Sequence, residues 1–187
     1  MKVYFSSSLR ARNLYKKDFK RIYHIIEDLG HKHTSDFVLK ANPEEFYKRK
    51  GEGFSKFYKK LTSQIKKADI CIFEVSLHSL GIGYCVDLAL QMGKPVILLY
   101  RQGNSPVFFK GIKSDRLQLY QYQPEDLKDV LEGAVEVAKE KIDIRFTFFI
   151  TPKIVRFLNY IAKEKKIPRA VYLRDLLKKE IKKTGFK

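Results

Sequence analysis

The stretch from Ala68 to Leu90 constrains the fold of this chain most strongly, because it combines an apolar segment, a glycine-containing loop and a helical pattern. Residues 70–75 are apolar and partly β-branched, which is typical of a strand covered on both faces. The loop from Ser79 to Gly83 allows a tight turn and a close approach of the backbone to a ligand. Free backbone N–H groups and the helix dipole favour anions at such a place. A plain strand-to-helix turn of an α/β sheet would show the same residues.

The rest of the chain repeats this alternation of strand and helix. The pattern predicts strands over 2–5, within 31–41, over 96–100 and over 117–122, and helices over 13–29, 43–67 (interrupted at 51–53) and 125–141. This order predicts an α/β fold with a mostly parallel sheet and helices on both faces. Ligands bind such sheets at the carboxyl ends of the strands. We therefore expect the loops after the first strand and after residues 70–75 to border one pocket.

The loop after the first strand carries its own anion-binding chemistry. Three serines, Ser6 to Ser8, are followed by Leu9 and Arg10. Hydroxyls, backbone amides and a guanidinium group all suit phosphate oxygens. Serine-rich turns are common, so this loop indicates a phosphate site only in combination with the first one.

Composition limits the class of protein. The chain has 187 residues, of which 44% are hydrophobic, enough for one domain of about 140 residues and a small appendage. Its N-terminus is typical of a core strand rather than a signal peptide, and no apolar run approaches the roughly 18 residues of a membrane span. The two cysteines give no disulfide framework. These features predict a cytoplasmic protein.

The charge favours an anionic partner. Lys and Arg number 38 against 21 Asp and Glu, a net charge of +17, and such a balance favours nucleic acid above other partners. A lysine-rich proteome would produce the same balance. His31 and His33 stand two residues apart, as metal ligands on a strand can, but no further cluster accompanies them. We expect solvated histidines there, and neither a metal nor a cofactor.

Residues 2–140 resemble the nucleoside 2-deoxyribosyltransferase superfamily, and within it the 2'-deoxynucleoside 5'-phosphate N-hydrolases. The segment from Val3 to Arg10 and residues 68–95 carry the resemblance, above all the stretch from Glu74 to Tyr84. The resemblance implies a flavodoxin-like fold with a pocket for a deoxynucleoside monophosphate. The residues implied to bind the nucleotide are Tyr4, Ser6, Ser8, Leu9, Arg10, Ser79, Gly81 and Gly83.

The chain departs from the family at its two catalytic positions. The family cleaves the N-glycosidic bond with a glutamate nucleophile, and a carboxylate there stabilises the charge of an oxocarbenium-like sugar. Cys85 stands at that position, and Leu61 stands where the family has a catalytic aspartate. A helix N-terminus can lower the pKa of a thiol, but a thiolate is a poor replacement. We expect lost or strongly impaired glycosidase chemistry and retained nucleotide binding.

Residues 144–183 resemble the ribbon-helix-helix family of DNA-binding proteins. Residues 143–187 hold thirteen Lys and Arg against four Asp and Glu. Residues 145–150 alternate as a strand does, and Thr151-Pro152 is typical of a helix start. A strand and two short helices bury too little apolar surface alone. The resemblance implies a homodimer whose paired strands enter the major groove of double-stranded DNA.

The residues implied to contact DNA are Arg145, Thr147, Phe149 and Arg169. Arginine and threonine suit base edges, and the residue near the second helix start suits a backbone phosphate. Phe149 departs from the family's pattern of polar outward residues.

These patterns together predict two domains, residues 1–142 and 143–187. We expect a dimeric, DNA-binding transcriptional regulator whose N-terminal domain binds a nucleotide-like ligand. One alternative is a divergent 2'-deoxynucleoside 5'-phosphate N-hydrolase or nucleoside deoxyribosyltransferase with an oligomerising tail. Another is a protein-interaction module, such as an antitoxin-like partner.

Overall fold

The described strands pair into one five-stranded parallel sheet with the order β2-β1-β3-β4-β5. The computed structural model describes residues 1–48, 51–142 and 148–186, and the chain divides into two compact units, Met1–Asp143 and Ile144–Lys187. The strands are β1 (Lys2–Ser7), β2 (Lys32–His33), β3 (Ile70–Glu74), β4 (Val96–Arg101) and β5 (Leu117–Tyr122). This strand order is that of the flavodoxin-like sheets, so the predicted α/β class and sheet are confirmed.

The connecting helices of the first unit follow the predicted alternation of strand and helix. They are α1 (Arg12–Asp28), α2 (Phe37–Lys40), α3 (Pro43–Tyr47), α4 (Glu52–Lys67), α5 (Leu80–Gln91), α6 (Val107–Lys110) and α7 (Leu127–Lys139), with a 3-10 turn over Leu9–Ala11. The predicted helix over 43–67 is divided into α3 and α4, and the short helices α2 and α6 were not predicted. Asn42 begins α3, because its side chain accepts a hydrogen bond from Glu44 N at 2.9 Å and Pro43 occupies the first turn.

Helices cover both faces of the sheet because alternate strand residues point to opposite faces. On one face, Phe5 and Ile72 pack with residues of α1 and α7 such as Phe19 and Leu131. On the other face the buried residues, which we call the α4–α5 cluster, are Tyr4, Leu61, Ile65, Ala68, Cys71, Phe73, Val75, Ile82, Cys85, Val86, Ala89, Val96 and Leu98. The α4–α5 cluster lies beneath the loops at the carboxyl ends of β1 and β3.

The expectation of solvated histidines is wrong for His33. Its ring stacks on Tyr23 with centroids 3.4 Å apart, and its Nε2 lies 3.0 Å from the main-chain oxygen of Tyr23. Burial lowers the pKa of His33. Within the described ranges, no group of three His, Cys, Asp or Glu side chains is arranged to hold a metal ion, and no helix has the length and apolar character that crossing a membrane requires.

The described residues of the second unit form two helices, α8 (Pro152–Lys165) and α9 (Arg169–Thr184). They contact each other through Phe157 and Tyr172, whose ring centroids lie 6.3 Å apart. The chain passes between them through Lys166 in the left-handed region, with a φ of 51°.

The predicted strand over residues 145–150 is not shown. Arg145 and Thr147 lie outside the described residues, residues 148–150 have no regular secondary structure, and Phe149 is fully exposed. Arg169 occupies the first turn of α9, as predicted from the helix pattern. A ribbon-helix-helix domain and a homodimer therefore stay predictions.

Candidate functional site

A cavity of about 380 Å³ opens at the carboxyl ends of β1 and β3. The chain connects β1 outward to β2 on one side and β3 outward to β4 on the other, so this is the point where the strand order reverses. Parallel sheets bind ligands at such a switch point because the two adjacent loops diverge there and leave a crevice. The two loops that the sequence predicted to share one pocket thus meet here.

The first side of the cavity is the serine loop, which we define as Ser6 to Arg10. The three serines are buried, with 3–5% of their surface exposed, and the Ala11 amide donates to Ser8 O at 3.0 Å. Arg10 is exposed, and its guanidinium carbon lies 5.4 Å from the ring centroid of Tyr47, which also borders the cavity. A cation therefore stands at the edge of a loop that is rich in hydroxyls.

The neighbouring Arg12 binds main-chain oxygens and does not border the cavity. Its guanidinium group donates to the main-chain oxygens of Leu39 (2.5 Å) and Ala41. These bonds attach α1 to the segment that carries α2 and α3, so Arg12 supports the fold while Arg10 faces the cavity.

The second side of the cavity is the beginning of α5. Ser79 caps this helix, since its Oγ accepts from Ile82 N at 3.4 Å and its carbonyl accepts from Gly83 N at 2.9 Å. The amides of the first helical turn have no partner within the helix. A side chain added at Gly81 would find only Ser79 Oγ, at 3.9 Å, so the backbone there is open to the cavity. This is the arrangement that binds phosphate at helix N-termini.

The third side is a group of aromatic rings from α2, α3 and α4, which we call the aromatic cluster. Its members that border the cavity are Phe37, Phe46, Tyr47, Phe57 and Tyr58. The rings of Phe37, Phe46 and Phe57 contact one another, with centroid distances of 4.8–5.4 Å. Tyr58 joins this side to α5, because its hydroxyl lies 2.7 Å from that of Tyr84. Such faces suit a planar aromatic ligand.

Between these sides the cavity is neutral. Leu61 and Cys85 both border it, and both belong to the α4–α5 cluster. Burial raises the pKa of the Cys85 thiol to about 12, so the thiol stays protonated despite its place near a helix N-terminus. The residues that border the cavity all belong to the described part of the chain, and none of them is Asp or Glu.

Six of the eight residues predicted to bind a nucleotide border this cavity: Ser6, Ser8, Leu9, Arg10, Ser79 and Gly81. Tyr4 is instead buried in the core beneath it, with 1% of its surface exposed and its ring 5.8 Å from that of Phe73. Gly83 lies further along α5. His78 and the aromatic cluster were not predicted as site residues from the sequence. The density of aromatic residues between Phe37 and Tyr58 was the signal that could have indicated the cluster.

Comparison with known proteins gives the family. No protein-family model matches the chain. A protein of Syntrophotalea carbinolica named "Putative 2'-deoxynucleoside 5'-phosphate N-hydrolase 1" is 30% identical over 103 residues, which cover 55% of this chain and 70% of that protein. The chain belongs to the 2'-deoxynucleoside 5'-phosphate N-hydrolase family.

Further relatives in this N-hydrolase family span more of the chain. The mouse 5-hydroxymethyl-dUMP N-hydrolase is 27% identical over 142 residues, covering 72% of this chain and 79% of the mouse protein. A Thermofilum pendens protein with the same name as the first relative is 28% identical over 149 residues, covering 73% and 99%. A solved structure, that of the Clostridium botulinum CMP N-glycosidase BcmB, is 19% identical and covers 73% of this chain and 99% of that chain, with a TM-score of 0.49.

These findings correct the main functional prediction. The expectation of a DNA-binding transcriptional regulator is wrong, because the relatives are named as N-hydrolases and none is named as a DNA-binding protein. DNA contacts by Arg145, Thr147, Phe149 and Arg169 have no support. The alternative, a divergent member of the N-hydrolase family, is the better supported one, and the predicted deoxyribosyltransferase-like resemblance of the N-terminal unit is confirmed.

Proposed function

We propose that this N-hydrolase family member binds a nucleoside 5'-monophosphate in the cavity and hydrolyses its N-glycosidic bond. The products are the free base and the sugar 5-phosphate. The observation that carries the proposal is the meeting of the serine loop and the α5 N-terminus around one cavity at the switch point of the sheet.

The phosphate is bound between Arg10 and the first turn of α5. Ser8 and Ser79 supply hydroxyls, and Gly81 leaves its backbone accessible. An anion at a helix N-terminus is stabilised by about 0.3–2 kcal/mol, and a guanidinium contact adds charge-assisted hydrogen bonds. Two positive elements on opposite loops therefore select a ligand with a terminal phosphate over one without.

The base is bound on the aromatic cluster. Stacking of a base on an aromatic side chain contributes about 1–3 kcal/mol and discriminates little among bases. Phenylalanine rings have no hydrogen-bonding groups, so Phe37, Phe46 and Phe57 recognise the base by its shape and its face. The hydroxyls of Tyr58 and Tyr84 are the polar groups on this side.

The sugar lies over Leu61 and Cys85, and this neutral surface determines the reaction. The C1'–N bond breaks with its electron pair going to the base, and the base takes a proton. Water then adds to C1' and releases a proton to solvent. Neither residue can form the sugar ester that a glutamate nucleophile forms, so water attacks directly. His78 is exposed at the edge of the cavity and is the imidazole among its described bordering residues.

The absence of a carboxylate among these described bordering residues predicts a slow enzyme. A positioned acid or base contributes about 10²–10⁴-fold to a rate, and the family positions that would supply one hold Leu61 and Cys85. We therefore expect the protein to bind nucleotide with ordinary affinity and to turn it over slowly.

The experiment that tests this function has two parts. The full chain is first titrated with ribonucleoside and deoxyribonucleoside 5'-monophosphates and with the matching nucleosides by calorimetry. The best-bound nucleotide is then incubated at high enzyme concentration, and free base is measured by chromatography. We expect the nucleotide to bind more tightly than the nucleoside, and free base to appear faster than in buffer alone. In Arg10→Ala, at a ligand concentration below saturation, the release of base should fall to the rate in buffer. Equal binding of nucleotide and nucleoside would contradict the phosphate site, and binding without base release would contradict the hydrolysis.

A further inference from the structure

Two buried carboxyl groups lie directly behind the serine loop. Glu74, at the end of β3, is 0% exposed, and Asp18 of α1 is 3% exposed. The Tyr122 hydroxyl bridges them, at 3.3 Å from Glu74 Oε1 and 3.3 Å from Asp18 Oδ2. Neither carboxyl borders the cavity, so the proposed chemistry does not use them directly.

The two carboxyl groups differ in their neighbours. Asp18 has a cation, because Nε and Nη2 of Arg101 each lie 2.7 Å from its Oδ2. The hydrogen-bond partners of the Glu74 carboxyl group that the structure describes are uncharged: the amide and hydroxyl of Ser76, the hydroxyl of Ser7 and the hydroxyl of Tyr122. An ionised carboxylate without a cation is costly in such a place. Burial accordingly raises the pKa of Glu74.

The hydrogen-bond geometry also suits a proton on Glu74. Ser7 Oγ lies 2.8 Å from the main-chain oxygen of Glu74 and 3.2 Å from its Oε2. The main-chain oxygen only accepts, and a serine hydroxyl has a single proton to donate. When that proton goes to the closer main-chain oxygen, the second bond needs a proton on Oε2. A neutral Glu74 then donates to Ser7 through Oε2 and accepts through Oε1.

We propose that Glu74 is a neutral positioning residue that holds Ser7, and with it the serine loop, in the conformation that receives a ligand's phosphate. The role rests on the proposed function, since it assumes that the phosphate lies against this loop. Loss of the Glu74 proton would remove the donor to Ser7 and place a negative charge behind the phosphate site. Phosphate binding and protonation of Glu74 therefore favour each other, as thermodynamic linkage requires.

Several elements of the fold supply the groups that face Glu74. They are Ser7 of β1, Ser76 after β3, Tyr122 of β5 and, through Tyr122, Asp18 of α1 with Arg101 of β4. Burial raises the pKa of Tyr122 as well, which favours its neutral hydroxyl. Glu74 is the ionisable member of this group that is hydrogen-bonded directly to Ser7, so a change in its charge would alter the serine loop.

The test uses Glu74→Gln, because a carboxamide accepts at Oε1 and donates at Nε2 as the neutral acid does. Glu132→Gln is the matched control, since Glu132 is an exposed carboxylate on α7. The ratio of nucleoside Kd to nucleotide Kd is measured from pH 5 to pH 9, a range that also contains the second ionisation of the ligand phosphate at about pH 6. In the wild type and in Glu132→Gln we expect this ratio, relative to that of Glu74→Gln at the same pH, to fall by about tenfold or more as Glu74 ionises. In Glu74→Gln the ratio follows only the ionisation of the ligand phosphate.

A second readout does not depend on the variants folding. A pH titration of ¹³C-labelled glutamate carboxyl groups in the wild type by NMR should show one carboxyl that keeps its proton to a clearly higher pH than the others. The proposal is overturned if all glutamates titrate in the same range, or if Glu74→Gln follows the wild-type pH dependence while nucleotide still binds. If neither protein binds nucleotide, the proposed function fails, and the positioning role fails with it.

Discussion

Leu61 of α4 and Cys85 of α5 border the same cavity and pack in the same apolar cluster. The resemblance to the family implies that these two residues stand at its carboxylate positions, so under the proposed function the sugar meets a neutral surface. Leu61 is 9% exposed and Cys85 5% exposed. A carboxylate at either position would be partly desolvated, which is the condition under which it acts strongly on a developing positive charge.

Restoring the two carboxylates should therefore raise the rate. In Leu61→Asp/Cys85→Glu we expect the release of free base to increase by about 10²-fold or more, because a nucleophile and a proton-handling group return together. The matched control, Leu61→Asn/Cys85→Gln, has nearly the same shape without the charge and should not exceed the wild type. Single-turnover chromatography checks both. Equal rates for the two double variants would show that the missing carboxylates do not limit the rate.

The buried thiols should be unreactive in the folded protein. Burial raises the pKa of Cys71 and of Cys85 to about 12, against about 8.5 in an unfolded chain. At pH 8 we expect alkylation by iodoacetamide to be about 10³-fold slower than in urea. Rapid labelling of Cys85 under native conditions would instead indicate an activated thiolate.

The same two thiols predict a stability that declines in alkali. A thiol is neutral when protonated, so a thiol with a raised pKa in the folded state contributes its full stability below its unfolded pKa of about 8.5. That contribution is lost as the pH rises towards about 12, because the unfolded state loses the proton first. Urea titrations between pH 8 and pH 11 should show the free energy of unfolding falling, with a smaller fall in Cys85→Ala.

Much of the fold was predictable because its central strands β3 and β4 are nearly continuous apolar runs. Residues 70–75 and 96–100 lie between helices that cover both faces of the sheet, and burial on both faces leaves this pattern in the sequence. The second strand was hard to locate, since it is only Lys32–His33. The aromatic cluster was missed because Phe46 and Phe57 lie among lysines, where the charge pattern indicates a solvated surface.

Other features depend on contacts between distant residues. Nothing local to Asp18 or Tyr122 indicates that they meet at Glu74, because the tertiary fold alone brings them together. The same holds for Tyr4, whose place in the family motif suggested the pocket while its side chain points into the core. The predicted partner strand of the C-terminal unit requires a second chain, and residues 143–147 lie outside the described ranges.

Two glycines of α5 provide a matched pair of variants. An alanine side chain at Gly81 would meet only Ser79 Oγ, at 3.9 Å, and one at Gly83 would meet nothing within 4 Å. Each change should raise stability by about 0.5–1 kcal/mol, since alanine favours helix over glycine. Gly81 borders the cavity and Gly83 does not. We therefore expect Gly81→Ala to weaken nucleotide binding while Gly83→Ala leaves it unchanged, as calorimetry can measure. Equal affinities would remove the α5 N-terminus from the phosphate site.

Arg10 should act on the phosphate alone. In Arg10→Ala we expect nucleotide affinity to fall by about 10–100-fold, because charge-assisted bonds to phosphate are lost. Nucleoside affinity should stay as it is. Lys128→Ala is the control, since it removes an exposed cation from α7, away from the cavity. A parallel loss of nucleoside affinity in Arg10→Ala would instead mean that Arg10 supports the cavity through its contact with Tyr47.

The most direct measurement is the release of free base from the best-bound nucleoside 5'-monophosphate, compared between the wild type and Leu61→Asp/Cys85→Glu at equal concentration. If the protein is a divergent N-hydrolase with an intact nucleotide cavity, we expect the wild type to release base slowly. The double variant should release base faster by about 10²-fold. Folded proteins that bind the nucleotide but release no base in either form would contradict hydrolysis at this site.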